Sequence, residues 1–172
     1  MIHHAQFEGW APFPIERVFL FFTNPENLPR LMPPETATRI DKLQLVPPSS
    51  PSPNLTLSSP IAGVGSEIYT SFRVLPRLPV RATWIARITE FEWNHHFADI
   101  QAKGPFQSWH HRHEFAPEAR NSIAGSLVRD QIDYSVGFGI LGHAAQALFI
   151  DRQLRETFQR RQETLPGLLR TF

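Results

Sequence analysis

The most constraining feature of the sequence is an alternation of residue character in the segment 80–91. One side of this segment carries the apolar side chains of Val80, Ala82, Trp84, Ala86 and Ile88. The other side carries Arg81, Thr83, Arg87 and Thr89. Because successive side chains of a β-strand point to opposite faces, the pattern predicts a strand with one buried and one solvated face. Such a strand is typical of an antiparallel sheet that is covered on one side only.

Similar short segments, separated by turn residues, occupy most of the chain. Pro, Gly, Asn and Ser residues fall in the breaks between them. We predict strands at 2–11, 36–46, 66–75, 80–91, 96–102, 106–116 and 123–136. Two short helices are predicted after the first strand. One is Ile15–Thr23, which the pair Asn24-Pro25 ends, and the other lies within residues 25–32.

The C-terminal segment is predicted to cover the buried face of the sheet. From Leu141 onward, apolar residues recur at helical spacing, namely Ala147, Ile150, Leu154, Phe158 and Leu165. The i,i+4 pairs Asp151 with Arg155 and Glu156 with Arg160 lie outside this stripe. We expect the helix to end or kink at Pro166-Gly167. The predicted fold class is therefore α+β, with one long helix against an antiparallel sheet.

Length and composition restrict the classes of protein to consider. The 172 residues fit a single domain, 1–172, and the Pro/Ser-rich segment 47–60 is expected to be a flexible surface loop within it. With 17 basic and 16 acidic residues, the chain has no net field that would attract nucleic acid. The absence of cysteine excludes disulfides, thiolate metal sites and cysteine nucleophiles.

No signal peptide or membrane-spanning segment is expected either. The N-terminus has no basic start followed by a continuous apolar run, and no apolar segment approaches the roughly 20 residues that span a bilayer. We therefore expect a cytoplasmic protein that does not insert into membranes. Whether it forms a homodimer is left open by the sequence.

The stretch GPFQSWHHRHEF, residues 104–115, places three histidines within four residues. On a strand, Trp109, His111, His113 and Phe115 would share one face, and the two large aromatic residues identify it as the inward one. Only His111 and His113 therefore share the inward face, because His110 points to the other side of the strand. A catalytic zinc site would need a third protein ligand, for which Asp99 on the preceding strand is nearest by topology.

The sequence does not fix how the predicted strands 96–102 and 106–116 are aligned, and this alignment decides which face of the sheet carries Asp99. A slip of one residue would move its side chain to the opposite face of the sheet. Because buried histidines more often hydrogen-bond to neighbours or water, we predict no metal at these residues.

These positions are instead interpreted as a polar patch on an apolar inner wall. Asp99, Gln101 and Tyr134 are predicted near His111 and His113, with the aromatic residues Phe72, Trp84, Phe97 and Trp109 supplying apolar contact. Such a wall suits a ligand that is mostly hydrophobic and carries an oxygen. The alternative is a polar core patch whose groups satisfy one another without a ligand.

The segment GFGILG, residues 137–142, matches the glycine pattern of dinucleotide-binding loops. A dinucleotide site also needs a second parallel strand after the helix, and the remaining residues are nearly all helical in character. We interpret these glycines as a sharp turn between strand and helix and predict no cofactor.

The order of the elements and four segments resemble a known superfamily. The segments are PIERVFLFFTNPENLPRLMPP (14–34), ATWIARITEFE (82–92), FADIQAKGPFQSWHHRHEF (97–115) and DQIDYSVGFGILG (130–142). Together they resemble the helix-grip fold of the START-related superfamily, also called SRPBCC, which includes the birch pollen allergen, polyketide cyclases and aromatases, and lipid carriers. The resemblance is closest to bacterial ligand-binding members of the cyclase/dehydrase type and spans nearly the whole chain, although segment 47–60 is longer than we expect for the family.

The resemblance implies a curved sheet of about seven strands around the long helix, with an internal apolar cavity between them. It does not imply a reaction, because members of the superfamily range from catalysts to passive carriers. The first expectation is a protein that binds a hydrophobic small molecule of lipid, quinone or aromatic polyketide type. The second is a cyclase or dehydratase in which His111 or His113 acts as general acid or base. The third is an interaction module with a filled interior.

Overall fold

The computed structural model describes residues 1–50, 60–73, 80–137 and 140–172, with the backbone alone at 140–148. Within these residues, seven strands form one antiparallel sheet in the order β1-β7-β6-β5-β4-β3-β2. The strands are β1 His3–Ala11, β2 Arg39–Gln44, β3 Glu67–Arg73, β4 Arg81–Glu92, β5 His96–Lys103, β6 Ser108–Arg120 and β7 Ile123–Ser135. Neighbours in sequence pair with each other, except that β1 pairs with β7.

Short helices follow β1, as the sequence predicted. They are α1 Ile15–Thr23 and α2 Leu28–Leu31, with single 3-10 turns at Pro25–Asn27 and Pro34–Thr36. Helix α1 starts where the carbonyl group of Pro14 accepts the first backbone hydrogen bond, from Val18 at 3.2 Å. It ends at Asn24, whose side chain accepts a hydrogen bond from the Glu26 backbone N–H at 3.0 Å and so caps the following turn.

The long helix α3, Ile140–Arg170, packs against β1, α1 and α2. The sequence predicted that this helix would end or kink at Pro166-Gly167. It does not end there but continues for another turn. Proline costs a helix one backbone hydrogen bond. Leu165 and Leu169 are both buried in the core on either side of Pro166, and this burial offsets the lost bond.

The exposed face of α3 carries salt bridges between residues four apart. Asp151 pairs with Arg155 at 2.9 Å, as predicted, and Arg152 pairs with Glu156 at 2.8 Å. Glu156 was predicted to pair with Arg160, so its partner is different from the one expected. Each such pair contributes only about 0.3–0.5 kcal/mol, which makes the exchange energetically minor.

The interior is divided between two clusters of buried apolar residues. In the first, Phe19 of α1 contacts the rings of Phe91, Phe97 and Phe115 on the sheet. In the second, Phe158 of α3 packs with residues of β7 and stacks on Phe7 of β1 at 4.4 Å between ring centroids. Through these two clusters, α1 and α3 pack against the same face of the sheet.

The β6–β7 hairpin has a two-residue turn that fixes its register. Asn121 and Ser122 both have positive φ angles, 49° and 63°, the combination that type I′ turns require. Arg120 is consequently paired with Ile123, and the same register places His113 opposite Asp130.

The predicted fold class is confirmed: a seven-stranded antiparallel sheet, a long C-terminal helix and two short helices after the first strand. Val80 was placed on the buried side of β4 but is 61% exposed, because β4 begins only at Arg81. Most of the predicted loop 47–60 and part of the glycine motif 137–142 lie outside the described residues. Among the helices that the structure describes, none is long and apolar enough to cross a bilayer.

Candidate functional site

A cavity of about 620 Å³ lies between the inner face of the sheet and helix α3. Helices α1 and α2 also contribute to its wall. Its lining includes most of the residues singled out from the sequence, namely Phe72, Trp84, Phe97, Asp99, Trp109, His111 and His113. The lining also includes exposed polar residues, which mark the side where the cavity meets solvent: Glu35, Arg73, Gln153, Glu156 and Arg160.

Aromatic side chains form one wall of the cavity. Trp84 of β4 meets Trp109 of β6 edge to face, with ring centroids 5.1 Å apart and planes at 89°. Phe106 and Phe72 flank Trp84 at 5.7 and 6.5 Å. Edge-to-face contacts of this kind hold the rings in place while leaving their other surfaces free to face the cavity.

The polar residues of the lining come together at one place on the inner wall. Asp99 of β5 is paired with His111 of β6, which settles the register that the sequence left open. The Asp99 Oδ2 atom is 3.9 Å from Nδ1 of His111 and 4.0 Å from Nε2 of His113. All three residues are nearly buried, with 9%, 7% and 6% of their surfaces exposed.

A second carboxylate, Asp130 of β7, lies behind the two histidines. Its Oδ1 atom is 3.0 Å from His111 Nε2, with which it forms a hydrogen bond, and 3.0 Å from the guanidinium NH1 atom of Arg161 on α3. The same oxygen is 2.6 Å from His113 Nδ1, although that contact is not aligned as a hydrogen bond. Arg161 also lies over the ring of Phe158 at 4.4 Å.

Burial decides the charge states of this cluster. It lowers the pKa of His111 to about 4, with His113 adding to the shift, and it also lowers the pKa of His113. Burial raises the pKa of Asp99. Burial alone would also raise the pKa of Asp130, but Arg161 and the two histidine rings hold it well below its usual range. At neutral pH the cluster therefore has two uncharged imidazoles next to an Asp130–Arg161 ion pair.

Two of the predicted site residues lie outside the lining of this cavity. The side-chain amide of Gln101 donates a hydrogen bond to the Phe106 backbone carbonyl at 2.8 Å and accepts one from the Phe106 N–H at 3.1 Å. It therefore closes the β5–β6 connection instead of facing a ligand. Tyr134 is buried behind the lining, where its ring packs against Phe106 and Trp109.

Sequence reasoning missed Asp130, Arg161 and Phe158 as members of the site. Arg161 lies between Phe158 and Leu165 on the apolar stripe of α3, and a charged residue in such a stripe indicates a buried partner. Asp130 follows from the hairpin, because a two-residue turn at Asn121 and Ser122 brings positions 113 and 130 opposite each other. The charged residue in the apolar stripe was a signal in the sequence, whereas the length of the turn comes from the structure.

A second group of potential metal ligands lies at the β4–β5 turn and consists of Glu92, His95 and His96. The side chains of Glu92 and His95 are both 64% exposed, and the distances from Glu92 to the two histidine rings are 3.6 and 3.5 Å. This cluster, of which His96 is the least exposed member, does not contribute to the cavity lining among the residues that the structure describes.

Comparisons with known proteins agree with this architecture. The sequence profile of the family described as polyketide cyclase / dehydrase and lipid transport matches residues 11–163. No curated protein matches the chain in sequence.

Solved structures match the chain over nearly its whole length. A START superfamily protein from Mycobacterium smegmatis has a TM-score of 0.66 at 13% identity, and TTHA0849 from Thermus thermophilus has 0.64 at 15%, each with 98% of both chains covered. Ara h 8.0201 has a TM-score of 0.60 at 12% identity, with 100% of both chains covered. At these identities the matches establish a shared fold, and they confirm the resemblance seen in the sequence.

Proposed function

The chain belongs to the polyketide cyclase/dehydrase and lipid transport family, and on that premise we propose that it binds a mostly hydrophobic small molecule in the cavity. The proposed ligand is of lipid, quinone or aromatic polyketide type and carries at least one oxygen. The observation that carries this proposal is the cavity of about 620 Å³ with an aromatic wall and one polar cluster. Ligand pockets in proteins typically have roughly 300–1,000 Å³ and this distribution of polar groups.

Asp99 supports the presence of an oxygen on the ligand. Its carboxyl group forms no hydrogen bond with any residue in the described part of the chain, and its nearest polar atoms, on His111 and His113, are 3.9 and 4.0 Å away. A buried polar group without a partner costs about 1–3 kcal/mol. A hydroxyl group of the ligand would recover this cost by donating the missing hydrogen bond to the carboxylate, and a carbonyl group would do so by accepting one from the protonated carboxyl group.

The affinity that apolar contact can supply depends on how much apolar ligand surface the cavity removes from water. Each 100 Å² of apolar ligand surface removed from water contributes about 2.5 kcal/mol. Micromolar binding needs about 8 kcal/mol after an association cost of at least 4 kcal/mol, which corresponds to roughly 500 Å² of buried apolar surface. The ligand is therefore expected to fill much of the cavity.

The proposal can be tested with two tryptophan substitutions on the same strand. Ala86 lines the cavity, whereas Thr83 is exposed on the outer face of β4. We expect Ala86→Trp to fill the cavity and lower the affinity for an apolar fluorescent probe, anilinonaphthalene sulfonate, by tenfold or more. Thr83→Trp should leave the affinity unchanged. Circular dichroism of both variants controls for folding.

The opposite pattern would overturn the proposal. If probe binding were equal in both folded variants, the probe would bind outside the cavity and the interior would not be a binding site. Mass spectrometry of the protein purified under native conditions offers a second test, because a lipid, quinone or polyketide should co-purify in amounts that Ala86→Trp reduces and Thr83→Trp does not.

An enzyme is the second candidate, since the hydrogen bond from His111 to Asp130 orients a histidine beside the cavity. His111 lines the cavity, and its Nδ1 atom, on the side of Asp99, could accept a proton. A pKa of about 4 makes this imidazole a weak base, because a general base is most effective with a pKa near the operating pH. This favours binding over catalysis.

Substitution of the histidines separates the two candidates. For a binding protein, His111→Gln and His113→Gln should lower the affinity for the co-purified molecule modestly. An enzyme would convert that molecule, by loss of water or by ring closure without change in mass, and the same variants would lower turnover by about 10²–10⁴. Mass and absorbance of the molecule after incubation with the protein provide the readout.

We also propose the cellular location and the absence of certain partners that the sequence led us to expect. The protein would act in the cytoplasm, without a nucleic-acid partner and without inserting into membranes. Fractionation of the source cells, followed by detection of the chain in each fraction, would test the location.

A further inference from the structure

Three electron-pair donors converge on one point of the cavity wall. Asp99 Oδ2 is nearly equidistant from His111 Nδ1 and His113 Nε2, at 3.9 and 4.0 Å. One ligand atom from each of the three residues lies within 4.8 Å of the other two. These distances are too long for hydrogen bonds between the groups and leave a space between them.

The outer carboxylate, Asp130, determines which nitrogen of the His111 ring carries the hydrogen. Its Oδ1 atom is 3.0 Å from Nε2 of His111 and accepts a hydrogen bond from it, so Nδ1 of His111 keeps its lone pair on the side of Asp99. The same oxygen is 2.6 Å from Nδ1 of His113 without forming a hydrogen bond. Nε2 of His113 lies on the side of Asp99, where it presents a lone pair when the ring carries its hydrogen on Nδ1.

A single proton cannot satisfy this arrangement. If Asp99 were protonated, its hydroxyl could donate to only one of the two ring nitrogens and would leave the other unpaired. A cation in the space between them would satisfy all three donors at once. We propose that Asp99, His111 and His113 bind a divalent transition-metal ion, with Asp130, held by Arg161, as the outer group that orients His111.

The outer groups match what metal-binding histidines require. Such histidines almost always donate their second N–H to a carboxylate or carbonyl group, which fixes the ring and raises the electron density on the ligating nitrogen. Here Asp130 accepts this hydrogen bond from His111 and lies beside Nδ1 of His113. Arg161 keeps Asp130 in position at 3.0 Å, and the whole assembly is buried, so the donors are held in place by packing.

The ligand set narrows the choice of metal. Two imidazoles and one carboxylate are typical of zinc and non-haem iron sites that keep a coordination position open. Bonds of about 2.0–2.1 Å in a tetrahedral site place ligand atoms about 3.4 Å apart, so Asp99 would move inward by about half an ångström on binding. The open position would face the cavity.

The metal proposal goes beyond the proposed function and does not depend on it. It rests on the five polar residues of the cluster, whereas ligand binding rests on the cavity and its aromatic wall, and Asp99 is the residue that both proposals use. The sequence analysis predicted no metal because buried histidines more often hydrogen-bond to neighbours or water, and it left the register of Asp99 open. The structure pairs Asp99 with His111 and so places a third donor beside the two histidines.

The test is a titration of the metal-stripped, untagged chain with Zn²⁺ and with Co²⁺, whose visible absorption reports low-symmetry nitrogen and oxygen coordination. We expect one equivalent per chain. Asp99→Asn and His113→Gln should each lower the affinity by tenfold or more while circular dichroism stays unchanged. The double variant His95→Gln/His96→Gln, which disables the exposed cluster, should bind the ion as the unmodified chain does.

Two results would overturn the proposal. One is the absence of stoichiometric binding to the folded, metal-stripped chain. The other is binding that disappears in His95→Gln/His96→Gln and persists in Asp99→Asn, which would place the ion on the protein surface. Probe binding by the metal-stripped chain is measured in parallel, so that failure of the metal site is distinguished from failure of the cavity as a binding site.

Discussion

Two clusters of similar composition lie on neighbouring strands, one at the β4–β5 turn and the other on β5 and β6. Each has one carboxylate and two histidines: Glu92, His95 and His96 in the first, and Asp99, His111 and His113 in the second. The first is at a turn, where the side chains of Glu92 and His95 are 64% exposed. The second is inside the fold, in contact with the Asp130–Arg161 ion pair.

The difference between them shows that position in the fold, more than residue type, makes a candidate site. In the exposed cluster, water competes for the hydrogen bonds of Glu92 and His95, and salt screens their charges. In the buried cluster, desolvation shifts the pKa of His111 to about 4 and raises that of Asp99. Only the buried cluster holds its donors in a fixed geometry beside a cavity.

The largest expected effect concerns the ion pair of the buried cluster. Arg161→Met leaves the Asp130 carboxylate buried without its cation, which should lower the free energy of unfolding by about 3–5 kcal/mol. Arg152→Met, which breaks an exposed pair on the same helix, should change it by less than about 0.5 kcal/mol. Urea unfolding measures both. A loss below about 1 kcal/mol for Arg161→Met would show that the buried cluster does not depend on this pair.

The second effect is a pH dependence of stability in the metal-free chain. The folded-state pKa of His111 is about 4 against 6.5 for the unfolded chain, so the unfolded state binds a proton first as the pH falls. The free energy of unfolding should therefore fall between pH 6.5 and 4, by about 3 kcal/mol for this residue. Urea unfolding of His111→Gln should show a shallower dependence than that of His95→Gln. Identical pH profiles for the two variants would contradict the burial of an uncharged imidazole.

A smaller effect of opposite sign is expected at Asp99. Its buried carboxyl has a raised pKa and no hydrogen bond within the described residues, so the charged form destabilises the metal-free fold. Asp99→Asn removes the charge and supplies an N–H toward the ring nitrogens, which should stabilise the fold by about 1 kcal/mol at pH 7. Thermal unfolding would detect this as a higher Tm. Destabilisation would mean that Asp99 has a structural role in the metal-free protein.

The smallest effect is expected in the exposed cluster. The double variant Glu92→Gln/His95→Gln should change the free energy of unfolding by less than about 0.5 kcal/mol and leave probe affinity unchanged, because both side chains are mostly in water. Chemical unfolding and probe titration test this directly. A change above about 1 kcal/mol would remove the contrast between the two clusters.

Local pattern was sufficient to predict most of the fold. Helix α1 was predicted with its observed bounds, because Pro14 and Asn24-Pro25 restrict both ends of the segment. The inward face of β6 followed from alternation together with the large aromatic residues Trp109 and Phe115, and His111 and His113 are indeed buried. The end of α3 was less predictable, since the cost of Pro166 is offset by burial of Leu165 and Leu169, which is a tertiary contact.

The site was predicted less completely because it depends on pairing between strands. Asp99 could be assigned to the inner wall only once its pairing with His111 was known. Asp130 comes to the same place through the β6–β7 hairpin and Arg161 through the packing of α3, two long-range relations that alternation does not encode. By alternation Gln101 was assigned to the inner wall, but its side-chain amide hydrogen-bonds to the backbone of Phe106. Only the geometry of the β5–β6 loop reveals this contact.

A crystal structure of the chain with its co-purified molecule, or with the apolar probe, is the most direct test of the central claim. We predict a molecule between the sheet and α3, in contact with Trp84 and Trp109. One of its polar atoms should lie within hydrogen-bonding distance of Asp99 or coordinate a metal ion bound beside Asp99. A molecule seated only on the outer surface, with the rings of Trp84 and Trp109 packed into the space that now separates sheet and helix, would contradict it.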